Sequence, residues 1–291
     1  MFLILLSELV PQNPNIEYSV VAVFFGLMIL VLIFALIAFV LLFYNYNHPV
    51  IRKNTPLMSL IVLLGTIFVL IGGIVLSTDV NDASCIIFLL FCNIGLAMSL
   101  GGLVAKSYRL YRIFYNRSAN AVVISDLNLL LIVFIIALYF ALICTVSLID
   151  GYGAAISQSS SNRFYLFYEC TCDSEFWQTF LTIFCEVSFI LLLFVALGYA
   201  WVTRKIVSAY SESQAVTALV LFYLCLDICF LPLYYVMGSG TGSAVYKTII
   251  KLFYIFLTTS LTLILLFYAR FYDVYQYEKR LKKRARESQA E

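Results

Sequence analysis

Three ionisable side chains stand inside stretches of sequence otherwise built from Leu, Ile, Val and Phe: Glu186, Asp227 and Lys251. Charge in such surroundings is costly to hold and is usually kept for an ion, a proton, a polar ligand or a partner side chain. Asp227 falls five residues before Pro232, in the middle of one apolar stretch. Glu186 is nearer the end of another, and Lys251 lies about one turn into the last, with Lys247 one turn above it. A pocket holding all three would bind a small modulator, an ion or water. The plainer reading is a hydrogen-bonded structural cluster or a protonated acid. No catalytic set accompanies them. There is a single histidine, His48, no Gly-x-Ser-x-Gly and no acid-rich metal cluster. The sequence therefore predicts neither an enzyme, nor a resident cofactor or metal, nor a nucleic-acid partner.

Eight cysteines are present. Cys92, Cys144, Cys185, Cys225 and Cys229 lie within apolar stretches, where a thiol packs as a small apolar group. Cys85, Cys170 and Cys172 fall together on one side of the bundle expected below, in positions where a disulfide would persist. A bridge from Cys85 to the loop carrying the other two would tether that loop over the bundle. Three cysteines leave one over. Cys172 is preferred, being closer to the next helix, with Cys170 as the alternative.

The elements that must position these groups are legible from composition. The chain has 291 residues, 63% hydrophobic and 12% charged, where a soluble domain has about 45–50% apolar and about 25% charged residues. The apolar residues come in blocks, and a helix needs roughly 20 of them to cross the hydrocarbon. Backbone in lipid must satisfy its own hydrogen bonds, so the blocks are helices, and the short alternating segments of a membrane barrel are absent. Seven spans are predicted: Tyr18–Tyr44, Leu57–Leu76, Cys85–Phe114, Leu127–Ile149, Phe176–Trp201, Ala215–Met237 and Tyr246–Tyr272. The expected fold is all-α, a seven-transmembrane helix bundle forming one domain over 18–272, between a short segment 1–17 and a basic tail 273–291. With only 17 residues before the first span, no folded ectodomain is expected. The start has no basic n-region and no small-residue cleavage site, so it does not read as a signal peptide.

Orientation follows from Lys and Arg. With the N-terminus outside, the cytoplasmic side carries Arg52, Lys53, Lys106, Arg109, Arg112, Arg117, Arg204, Lys205, Arg270 and the tail's Lys279, Arg280, Lys282, Lys283, Arg284 and Arg286. The other side carries only Arg163, Lys247 and Lys251. Cytoplasmic loops hold the basic excess in membrane proteins, so the N-terminus is predicted outside and the C-terminus inside. The six tail cations from Lys279 to Arg286 would attract anionic lipid. Lys106, six residues before Arg112, sits roughly 9 Å deeper along its helix.

Several segments now come together. They are N-H-P-V-I-R-K-N-T-P from Asn47 to Pro56, L-V-A-K-S-Y-R-L-Y-R-I-F from Leu103 to Phe114, A-W-V-T-R-K-I from Ala200 to Ile206, and A-Y-S-E-S-Q from Ala209 to Gln214. In order, spacing and sidedness they resemble the inner face of class C G-protein-coupled receptors, nearest to the GABA type B receptors. F-L-P-L-Y-Y from Phe230 to Tyr235 is more similar to helix 6 of metabotropic glutamate receptors. The likeness runs from the first span to the seventh. Departures are visible. Such receptors normally carry a large bilobed ectodomain, the tryptophan that glutamate receptors place before the helix 6 proline is Asp227 here, and the Pro-Lys pair of helix 7 is replaced by Ala269 and Arg270.

The resemblance implies a plasma-membrane receptor that activates a heterotrimeric G protein and works as a homo- or heterodimer. The G protein would meet Arg52, Lys53, Arg109, Arg112, Arg204 and Lys205. It also implies a resting-state lock, in which Lys106 contacts Glu212 at the start of the sixth helix, and a bridge from Cys85 to the outer loop. The plainer reading of Lys106 is a side chain that snorkels to lipid headgroups. A transporter or channel using Asp227 is the alternative function, although the internal repeats expected of one are not seen.

Overall fold

In the computed structural model the described residues form seven long helices and one small hairpin. The residues described are 14–46, 56–78, 81–115, 125–158, 166–203, 211–237 and 243–268, with 274, 275, 277 and 279 of the tail. The helices are α1 (Pro14–Tyr44), α2 (Pro56–Leu76), α3 (Asp82–Tyr115), α4 (Asp126–Ile149), α5 (Glu175–Thr203), α6 (Ser211–Met237) and α7 (Ser243–Leu263). All seven contain a stretch long and apolar enough to span a bilayer. They lie within a few residues of the predicted spans. α1 starts at Pro14 rather than Tyr18 and α2 at Pro56, since proline suits the first turn of a helix, where its missing N–H costs nothing. α7 gives way at Ile264 to a π turn over Ile264–Tyr268, earlier than the uninterrupted span expected to Tyr272.

α3 is the central helix, packing against α2, α4 and α5 and touching α6, while α7 closes the ring against α6, α1 and α2. The tightest approach joins α2 and α3. A Cβ placed on Gly65 would lie 2.5 Å from the Gly95 carbonyl oxygen, and one on Gly95 would lie 2.7 Å from that of Gly65. Small residues at such a crossing let two membrane helices meet at backbone distance. Outward-facing positions on α1, α4 and α5 are apolar and exposed, among them Phe34, Phe134 and Phe194, which suits surfaces solvated by lipid tails rather than water.

The hairpin consists of β1 (Gly153–Gln158) and β2 (Leu166–Thr171), antiparallel, with Ala154 opposite Cys170. It lies in the long loop between α4 and α5, which the sequence reading left without strands. The adjacent aromatics Phe167 and Tyr168, a residue type enriched in strands, were the available signal. α3 holds the hairpin in two ways. Asn81 and Ser84 cap α3 reciprocally, each accepting from the other's backbone N–H at 2.8 Å, a variant of the capping box. On that capped turn, Asp82 Oδ1 accepts from Ala154 N at 2.8 Å, and Cys85 is bridged to Cys170 with their Cα atoms 5.5 Å apart.

This corrects the preference for Cys172. Cys170 sits within β2 opposite Ala154, the residue that Asp82 holds, so the pairing itself delivers Cys170 to the head of α3. Cys172 lies past the end of the strand and keeps a free thiol.

Candidate functional site

Under the hairpin the helices part around a cavity of about 250 Å³. α3, α4, α5, α6 and α7 all contribute walls, and Tyr152, Cys170 and Cys172 contribute from the hairpin end. Glu186, Asp227 and Lys251 all line it. The structure thus brings the three intramembrane charges of the sequence into one space.

Each is held differently. Asp227 is only 5% exposed, and its Oδ1 accepts the Tyr254 phenol proton at 2.7 Å, across the contact between α6 and α7. Tyr254 follows Lys251 by three residues, hence on the same face of α7. The sequence reading passed over it. Its ring meets Phe230 edge-on, with centroids 5.8 Å apart. Lys251 extends its ammonium between two rings, 5.8 Å from the centroid of Phe88 on α3 and 5.4 Å from that of Tyr234 on α6. Such a cation is attracted by the negative ring faces. Glu186 makes no hydrogen bond or ion pair among the described residues. Two contacts brace the lining: Phe189 stacks on Phe140 at 4.1 Å, and the Cys185 thiol donates to Asn93 Oδ1 at 3.1 Å. At the mouth, burial pushes the Tyr152 phenol well up, so it stays neutral. The Cys172 thiol is also held above its usual range, by burial first and then by the carboxylates of Asp150 and Asp173.

The opposite end of the bundle carries the basic residues. Lys106 is 3% exposed, so its stem lies inside the bundle, not along the lipid face as a snorkelling side chain would. Arg109 forms an ion pair with Asp126 at the start of α4, 3.0 Å apart. Arg112 lies over the Tyr108 ring at 6.0 Å, and Tyr199 of α5 packs against both Tyr108 and Tyr111. Of the remaining sequence-predicted residues, Lys279 is described and exposed. Arg52, Lys53, Arg204, Lys205, Arg280, Lys282, Lys283, Arg284, Arg286 and His48 lie outside the described residues. Glu212 stands on the first turn of α6, and its side chain too is outside them. Among the described residues, no group of three or more His, Cys, Asp or Glu side chains is arranged to hold a metal ion.

Comparison with known proteins places this geometry. The family described as "7 transmembrane sweet-taste receptor of 3 GCPR" matches residues 15–270, all seven helices. Metabotropic glutamate receptor-like protein N of Dictyostelium discoideum is 25% identical over 210 residues, covering 71% of this chain and 23% of that protein. Gamma-aminobutyric acid type B receptor subunit 2 of Caenorhabditis elegans is 24% identical over 270 residues, 86% of this chain and 31% of that protein. Metabotropic glutamate receptor-like protein G of Dictyostelium discoideum is 24% identical over 274 residues, 91% and 34% respectively. The chain thus spans about a third or less of the length of these curated relatives.

Proposed function

Because the chain belongs to the class C family of seven-transmembrane G-protein-coupled receptors, a family of multi-pass membrane proteins, we propose that it signals across the plasma membrane by activating a heterotrimeric G protein. The observation that carries this is the family match through all seven helices. The distribution of Lys and Arg supports an orientation with the N-terminus and the hairpin outside and the basic end in the cytoplasm. In that frame the single receptor domain covers residues 18–272, between the segment 1–17 and the basic tail from residue 273.

The work is done by differential binding, not by chemistry in the chain itself. A bundle with two arrangements activates a partner when that partner prefers one of them. The G protein would meet Arg52, Lys53, Arg109, Arg112, Arg204 and Lys205. A contact between Lys106 and Glu212 would hold α3 to α6 at rest, and its loss would free α6. The cavity under the hairpin would be the other control point, since Asp227 and Tyr254 join α6 to α7 there and a ligand between the walls would bias the same two helices. The name of one relative, a GABA type B receptor subunit, supports a dimeric assembly with a second class C chain. The tail cations would bind anionic lipid beside it.

The test is a charge swap. A G-protein activation reporter is read for the unaltered chain, Lys106→Glu, Glu212→Lys and the double variant. Raised basal signalling in each single variant, returning toward the starting level in the double, is expected. Signalling without rescue would remove the lock and keep the receptor. Silence from every variant, with the chain at the cell surface and a class C partner co-expressed, would defeat the proposal.

A further inference from the structure

The three charges in the cavity are not neutralised by one another. Two carboxylates and one ammonium line it, and no ion pair joins them among the described residues. Lys251 is instead turned onto Phe88 and Tyr234. Asp227, although 5% exposed, has a hydrogen bond on only one carboxylate oxygen. Glu186 has none. Charge is costly to bury without a partner, and a protein keeps it within a bundle for something that enters.

We propose that the cavity takes a small organic cation, with its ammonium group shared between Glu186 and Asp227. The inference rests on reading the cavity as a ligand site, and it names what the ligand must be. An ammonium has three donors and no acceptor, so one such group satisfies the open oxygens on both α5 and α6 together. It also brings the formal charge of the lining to zero, since two acids face one lysine. An anion would do the reverse. It would have to recruit Lys251 away from its rings while standing beside two carboxylates. The walls suit the body of a cationic ligand as well. Phe230 and Tyr254 line the cavity beside Asp227, and rings hold both a cation and its apolar frame.

The experiment uses three probes of one shape: benzylamine, benzyl alcohol and benzoate. The full chain is purified into lipid nanodiscs, and the shift of its thermal unfolding midpoint is titrated with each, which reads binding and not signalling. Benzylamine is expected to raise the midpoint in a saturable way, with benzyl alcohol weaker and benzoate without effect. Glu186→Gln keeps the shape of the side chain and should weaken benzylamine roughly tenfold or more, as loss of a hydrogen bond to a charged group does. Lys251→Met removes a like charge and should tighten it. Equal shifts from all three probes would show an apolar cavity only and overturn the proposal. So would a preference for benzoate, insensitivity to Glu186→Gln, or no shift from any probe. None of these outcomes touches the receptor reading, which stands or falls on the G-protein reporter.

Discussion

Tyr254 of α7 donates its phenol proton to Asp227 of α6 at 2.7 Å, and the accepting residue is 5% exposed. This contact joins α6 to α7. It also lies on the wall of the cavity, so a ligand that engages the other oxygen of Asp227 acts on the α6–α7 contact directly.

Removing the donor should show what that contact contributes. Tyr254→Phe leaves a buried carboxylate short of one hydrogen bond, which costs about 1–3 kcal/mol. The thermal unfolding midpoint in nanodiscs is expected to fall. In a double-mutant cycle with Asp227→Ala, the two losses should not add, because each removes the same bond. Additive losses would mean that the two residues act separately.

The bridge gives a sharper test, because the alternative is two residues away. Peptide mapping under non-reducing conditions should recover Cys85 linked to Cys170 and Cys172 as a free thiol. Cys172→Ser should leave the bridge and the folded fraction unchanged. Cys170→Ser should release Cys85 and loosen the hairpin, leaving the Asp82–Ala154 hydrogen bond and packing contacts to hold it to α3. Recovery of a Cys85–Cys172 peptide from the unaltered chain would overturn the pairing in β2.

The fate of these residues shows what sequence alone could reveal. The seven spans were legible because lipid demands long apolar helices, and composition alone reports that. Glu186, Asp227 and Lys251 stood out for the same reason. Each is anomalous in its stretch, and anomalies of burial need no alignment to be seen. Tyr254 was invisible because a tyrosine among 21 is no anomaly, and only the packing of α7 against α6 makes it a partner. The choice between Cys170 and Cys172 failed for a different reason. It was made on distance along the chain, whereas a strand register decides which cysteine reaches Cys85, and register depends on pairing with β1. Ring contacts to Lys251 come from two other helices, α3 and α6, and were likewise beyond a one-dimensional reading.

Cys172 should also be a slow thiol. Its folded-state ionisation is pushed up, by burial first and by Asp150 and Asp173 after that. The reactive species is the thiolate, so near neutral pH the side chain stays protonated. Alkylation by iodoacetamide is expected to be slower than for a free cysteine peptide at pH 7, and to speed up as pH rises. Asp173→Asn should quicken it modestly at fixed pH, since burial, the larger cause, remains. A rate equal to that of the free peptide, or one flat with pH, would contradict this placement.

The crossing of α2 and α3 is where the fold tolerates least. Gly65 and Gly95 face each other so closely that a Cβ on either would press on the other's carbonyl oxygen. That obstacle is backbone, which cannot rotate aside as a flexible side chain can. Gly95→Ala must therefore push the helices apart, and overpacking of this kind costs about 1–3 kcal/mol. The consequence extends beyond stability, because α3 carries Cys85 at one end of the bundle and Lys106, Arg109 and Arg112 at the other. Gly26, by contrast, has open space where its Cβ would go. Gly26→Ala removes a helix-weakening residue from α1 and is expected to be neutral or slightly stabilising. Unfolding midpoints of the two variants, measured side by side in the same lipid, should separate clearly, with Gly95→Ala lower. If both melt with the unaltered chain, the α2–α3 contact is looser than these distances require.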